Sequence, residues 1–100
     1  MRAKIENQVM ITCEDVDLQE LSGIEFYVRQ GSFFQIYVPE VISAHEMVIV
    51  IPYADAMKLR SDKVVELQFA FTDGNGTPGA TDVLSLYVRE LLKEDGYDPV

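Results

Sequence analysis

The sequence predicts an all-β fold: an antiparallel sandwich of about six to seven strands with one short helical turn. Three observations carry that prediction. Apolar and polar residues alternate with period two in several short segments. Nearly all gaps between those segments are too short for the crossovers of about a dozen residues that parallel strands need. Turn-forming residues, above all "TDGNGTPG", punctuate the rest.

The segments follow in order. In "QVMITC", Val9, Ile11 and Cys13 point inward. In "IEFYVRQ", Ile24, Phe26 and Val28 alternate with Glu25, Tyr27 and Arg29. In "FFQIYV", Phe34, Ile36 and Val38 share one face, with Gln35 and Tyr37 on the other. "EMVIVI" is apolar on both faces, which predicts a central strand covered on both sides. In "VVELQFAF", Val65, Leu67, Phe69 and Phe71 oppose Glu66, Gln68 and Ala70. In "VLSLYVRE", Leu84, Leu86 and Val88 oppose Ser85, Tyr87 and Arg89. Only "PYADAMKLRSDK" has room for a helix. Pro52 suits a helix start, and Ala54, Ala56, Met57 and Leu59 are good helix formers. The expected core includes Phe26, Ile49, Leu67, Phe69 and Leu86.

The 100 residues fit one domain, 1–100, with residues 91–100 expected as a frayed C-terminal tail beyond the last strand. A hydrophobic content of 48% is ordinary for a globular chain. No apolar run approaches the ~18 residues that span a bilayer. The polar "ENQ" follows the basic start at once, so no signal-peptide core is expected. Cys13 is the only cysteine, which excludes an intrachain disulfide and a cysteine-cluster zinc site.

The chain carries 8 Lys+Arg against 17 Asp+Glu, a formal net charge of −9. Such a balance repels phosphate backbones and anionic membranes, so neither nucleic acid nor membrane is an expected direct partner. The charge can serve solubility alone. The sharper alternative is an acidic inhibitor that mimics nucleic acid and occupies a basic groove.

"FAFTDGNGTPGATDVLSLYV" has the densest potential chemistry. Asp73, Asn75 and Asp82 offer oxygen ligands. A calcium loop starting at Asp73 would need an acidic or amide oxygen at its fifth position, glycine at its sixth and glutamate at its twelfth. Those positions hold Thr77, Pro78 and Leu84. A phosphate loop would need a Lys followed by Ser or Thr, and no Lys lies between Lys63 and Lys93. The remaining reading is a long hairpin from Asp73 to Ala80, built on Asp-Gly and Asn-Gly turns.

Cys13 and His45 are the one candidate nucleophile–base pair. Cys13 continues an apolar strand face, where an inert buried thiol is the ordinary outcome. Glu14, Asp15, Asp17 and Glu20 cluster, as solvated loop acids commonly do. No catalytic, cofactor or metal residue is therefore assigned, and the chain is not expected to be an enzyme. Phe33, Tyr37 and Tyr53 are the candidate partner-binding residues. Phe33 and Tyr37 lie on the face opposite Phe34 and Ile36, where an aromatic surface would suit a protein contact. The alternative is that a second sheet covers them.

At "DLQELSGIEFYVRQ" the chain resembles the small immunoglobulin-like domains at the N-terminus of phage baseplate upper proteins. The residues that carry the resemblance are Asp17-Leu18, Ser22-Gly23, Phe26, Val28 and Arg29. They continue with "IPYADAMKL" as a helical turn, and with Thr72-Asp73-Gly74-Asn75-Gly76 and Thr81 as the final hairpin. The resemblance implies an immunoglobulin-like sandwich. It also implies a structural component of a phage or prophage tail, baseplate or neck, acting through protein–protein contacts. Its partners would be other virion subunits, with a homo-oligomer as a further possibility. It would reside in the bacterial host cytoplasm during assembly and then in the virion. No catalytic residue is carried over.

Overall fold

The alternating segments form strands because β-branched and aromatic residues fit a pleated, half-buried surface. The computed structural model describes residues 2–5, 8–14, 16–60 and 62–87. Among them it forms nine strands and one helix. The strands are β1 (Arg2–Ile5), β2 (Gln8–Glu14), β3 (Ser22–Gln30), β4 (Phe33–Tyr37), β5 (Glu40–Ser43), β6 (Glu46–Pro52), β7 (Val64–Thr72), β8 (Pro78–Ala80) and β9 (Leu84–Tyr87). The helix α1 (Tyr53–Ala56) joins β6 to β7.

One sheet has the order β1-β2-β6-β5. The other has the order β4-β3-β7, with β8 and β9 both pairing with β7. Every pairing between the described strands is antiparallel. The fold is thus the all-β antiparallel sandwich with one short helix that the sequence predicts. β1, β5 and β8 exceed the expected strands. They have only three or four residues each, too few to display a period. Pro78 opens β8, an edge position where its missing N–H costs no ladder bond.

A single core lies between the sheets. Val9, Ile11 and Cys13 of β2 and Met47, Ile49 and Ile51 of β6 meet Ile24, Phe26 and Val28 of β3 and Val65 and Leu67 of β7. Phe69, Phe71 and Leu86 are half-buried against it, so all five residues of the expected core take part. The rings of Phe26 and Phe69 lie 4.7 Å apart, tilted by 45°. Full burial of a side chain such as Phe26 contributes about 1.5–3 kcal/mol. Ala56 and Leu59, from α1 and the turn after it, pack onto the same core. Pro52 sits at the N-cap position of α1, as expected of a proline at a helix start.

Two expectations need correction. β6 is central in its sheet but covered on one face only: Val48 is half-buried and Val50 exposed. Its outer face is apolar because β-branched residues favour strands, not because a further layer covers it. In β9, Leu84 is exposed although it pairs with the buried Leu67, since β9 is an edge strand. Val88, Arg89 and the tail 91–100 lie outside the described residues.

Candidate functional site

The loop from Asp73 to Thr77 is a turn built on one carboxylate. Asp73 Oδ1 accepts the backbone N–H groups of Asn75 and Thr77, each at 2.9 Å. Gly76 N–H donates to the Asp73 carbonyl at 3.0 Å, and Asp73 N–H donates to Thr77 O at 3.0 Å. Gly76 has φ +80, the left-handed conformation that closes such a hairpin. Gly79 serves a different need: a Cβ there would lie 2.8 Å from Cε2 of Phe71. Asp73, Gly76 and Gly79 thus have structural tasks in this hairpin.

Cys13 and His45 do not share a site. Cys13 faces the core, whereas His45 is exposed and donates from Nδ1 to the Val16 carbonyl at 3.0 Å. In the acidic loop, Asp17 Oδ1 accepts the Gln19 N–H at 3.1 Å, an Asx turn. Asp15 lies outside the described residues.

The three aromatic candidates are separated by the fold. Tyr37 is 9% exposed and belongs to the core. Its hydroxyl donates to Asp55 Oδ2 at 3.0 Å. Burial, and then this bond to a carboxylate, hold the phenol well above its ordinary range. Phe33 is half-buried against the core, and Tyr53 stays exposed at the start of α1. Of the two outcomes open for this face, the second holds: Phe33 and Tyr37 lie on the inner face of β4, covered by the other sheet, and Phe34 and Ile36 lie on the outer. Register is the cause. Tyr37 pairs with Phe26, which points into the core, so Tyr37 must do the same. Alternation cannot tell inside from outside when both faces are apolar.

The outer face then carries Phe34, whose ring meets Tyr27 edge-on at 5.9 Å. Ile36 is paired beside Tyr27. The exposed apolar line continues along the chain through Val38, Val41 and Ile42. Val38 is 78% exposed. β4 pairs with β3 only from Phe26 to Gln30, because the chain turns away at Val38-Pro39 to enter the other sheet as β5. Residues 22–25 of β3 consequently have no β4 partner. An open groove of about 480 Å³ results, with Leu21, Ile24, Val38, Pro39 and Val41 as its apolar lining. Val41 pairs with the buried Met47 and turns the same way, yet it stays exposed because no described strand of the opposite sheet reaches across. This notched edge is the candidate functional site. Sequence reasoning missed it, although three apolar residues around Pro39 in "VPEVIS" were a signal.

No family model matches the chain, and neither a curated protein nor a solved structure matches it.

Proposed function

We propose that this protein is a structural component of a phage or prophage tail, baseplate or neck, and that it works by protein–protein contact. The single observation that carries the reading is the notched edge. Residues 22–25 of β3, which no described strand pairs on the β4 side, lie beside an apolar groove; such an edge accepts another chain as an added strand, and the groove takes its alternate side chains. Val38, Val41 and Ile42 would supply apolar contact area there. On this reading the protein is not an enzyme, needs no cofactor and has other virion subunits as partners.

The resemblance to the immunoglobulin-like domains of phage baseplate upper proteins finds support in two further places. Lettered along the chain, with β8 and β9 as one interrupted strand, the sheets read A-B-E-D and C′-C-F-G. That order matches the immunoglobulin plan. The motif residues also hold structural positions. Leu18 is buried, Gly23 takes φ +58 where β3 shifts register, and Thr81 bonds the Phe69 backbone twice, at 2.9 and 3.0 Å.

A nucleic-acid-mimicking inhibitor is the second reading, favoured by acids that meet at one end of the sandwich: Glu14 and Glu46 are cross-strand partners, and Glu20 lies against the Gly74 loop that also holds Asp73. Mass spectrometry of purified particles from a strain carrying the gene separates the two. A stoichiometric presence supports the virion component. Consistent absence, with inhibition of a nuclease by the pure protein, supports the mimic.

A further inference from the structure

The cations of this acidic protein gather in one place. Among the described side chains, four are Lys or Arg: Arg29, Lys58, Arg60 and Lys63. Arg29 is paired with Glu66 on the outer face, at 2.9 Å. The other three line one open groove of about 490 Å³, at the end of the sandwich where β3 turns into β4. No acidic side chain lines that groove. Arg60 pairs with Asp62 at 3.2 Å. Lys58 and Lys63 are exposed, and among the described residues neither has a carboxylate within ion-pair distance.

The fold builds both walls. One is the turn between β3 and β4, where Gly31 takes φ +57. The other is the segment between α1 and β7. Leu59 packs on the core there, and its neighbours Lys58 and Arg60 stay exposed on either side. Gln30 ties the walls together. Its Nε2 donates to the carbonyls of Arg60 at 2.9 Å and Lys63 at 3.2 Å, and its Oε1 accepts the Arg60 N–H at 2.6 Å. The backbone that carries the cations is therefore fixed in advance, which lowers the entropy cost of binding. Phe33, half-buried, and Val64, exposed, add apolar surface to the same groove.

Two ammonium groups without a carboxylate call for an anion. The net charge of −9 narrows which one. A nucleic acid brings a continuous row of phosphates, which the acidic remainder of the surface repels. A free inorganic anion leaves Phe33 and Val64 uncovered. A short acidic peptide segment meets both demands, with carboxylates for the lysines and an apolar side chain for Phe33 and Val64.

We propose that this basic groove docks an acidic peptide segment of a partner protein, its carboxylates on Lys58 and Lys63 and an apolar side chain on Phe33 and Val64. The notched edge lies beside residues 22–25, at the opposite end of β3 from Gln30, so the groove is a second surface. It stands without the assembly reading above, because its test uses purified protein and a defined peptide. Absence from particles and failure to bind the peptide are separate results.

The test is fluorescence anisotropy of a labelled peptide, EELEE, titrated with the full chain. Saturable binding is expected at about 50 mM salt, with affinity falling about tenfold or more at about 0.5 M, as contacts between charges do. K58E/K63E should abolish binding and keep the wild-type circular dichroism melt, since both side chains are exposed. The neutral pair K58Q/K63Q should bind more weakly than wild type, a loss that reads the charge without reversing it. Arg29→Ala removes the one described cation outside the groove and should bind as wild type. The peptide EEGEE, which lacks the apolar side chain, should bind several-fold more weakly than EELEE. Absence of saturable binding up to about 1 mM overturns the proposal. So does binding that K58Q/K63Q retains in full, or that Arg29→Ala loses equally, or that EEGEE matches. Displacement of the peptide by an equal concentration of inorganic phosphate, or tighter binding of a thymidine oligonucleotide, also overturns it, since either assigns the groove to phosphate.

Discussion

Tyr37 donates its hydroxyl proton to Asp55 at 3.0 Å, tying the edge strand β4 to helix α1 across the open side of the sandwich. The bond fixes the point at which β4 ends. One residue later the chain departs at Val38, and the notch begins. The candidate interface thus depends on a buried tyrosine that does not itself line it.

This bond makes stability depend on alkaline pH. Burial first, then the hydrogen bond to Asp55, raise the Tyr37 phenol above its ordinary value of 10.0 in the folded state. The unfolded chain therefore loses the proton first. The contribution is complete below about pH 10 and declines as pH rises beyond it. Tyr37→Phe should cost about 1–2 kcal/mol at neutral pH. Urea melts across pH 7 to 11 should give the variant a shallower alkaline decline than wild type. Equal declines would remove Tyr37 as the source.

The core predicts a graded response. Phe26→Ala, at a fully buried position, should cost about 3–5 kcal/mol in a urea melt. Phe69→Ala should cost less, since its half-buried ring leaves a smaller sealed cavity. Glu66→Ala, on the outer face, should stay within about 0.5 kcal/mol despite the exposed Arg29–Glu66 ion pair at 2.9 Å. A larger loss at Glu66 than at Phe26 would contradict the inward face assigned to β3.

Asp73→Ala should destabilise the hairpin by about 1–2 kcal/mol, because two backbone N–H groups lose their acceptor. Calcium and magnesium titrations should detect no site tighter than about millimolar in wild type, the weak limit of biological calcium sites. An unchanged melt for Asp73→Ala together with measurable metal binding would return this loop to chemistry.

Much of the sandwich was legible in its sequence. The inner faces of β2, β3 and β7 follow from alternation because each has charged or amide residues opposite. β4 was not legible: Phe33, Phe34, Ile36 and Tyr37 make both faces apolar, and only pairing with Phe26 decides between them. The notch was hidden for a related reason. It arises from where β4 stops relative to β3, a long-range relation that no local period encodes. The gathering of acids was equally invisible, since Glu14, Glu20 and Glu46 are scattered along the chain and come to one end only through the fold.

Charged substitutions at the notch should separate assembly from folding. Val41→Asp and Ile42→Asp replace exposed side chains, so each should change stability by no more than about 0.5 kcal/mol. Circular dichroism melts close to wild type would establish that the edge is available for a partner. A loss of several kcal/mol at either position would mean that the edge is part of the core instead.

The most direct measurement is the amount of this protein in purified phage particles, wild type against the double variant V38D/V41D. The account predicts that wild type co-sediments at a fixed ratio to the other subunits. It predicts that the variant, folded and cooperative in its melt, is missing from them. The account is contradicted if wild type never co-purifies with particles while a charge reversal at Glu14 and Asp15 abolishes inhibition of a nuclease.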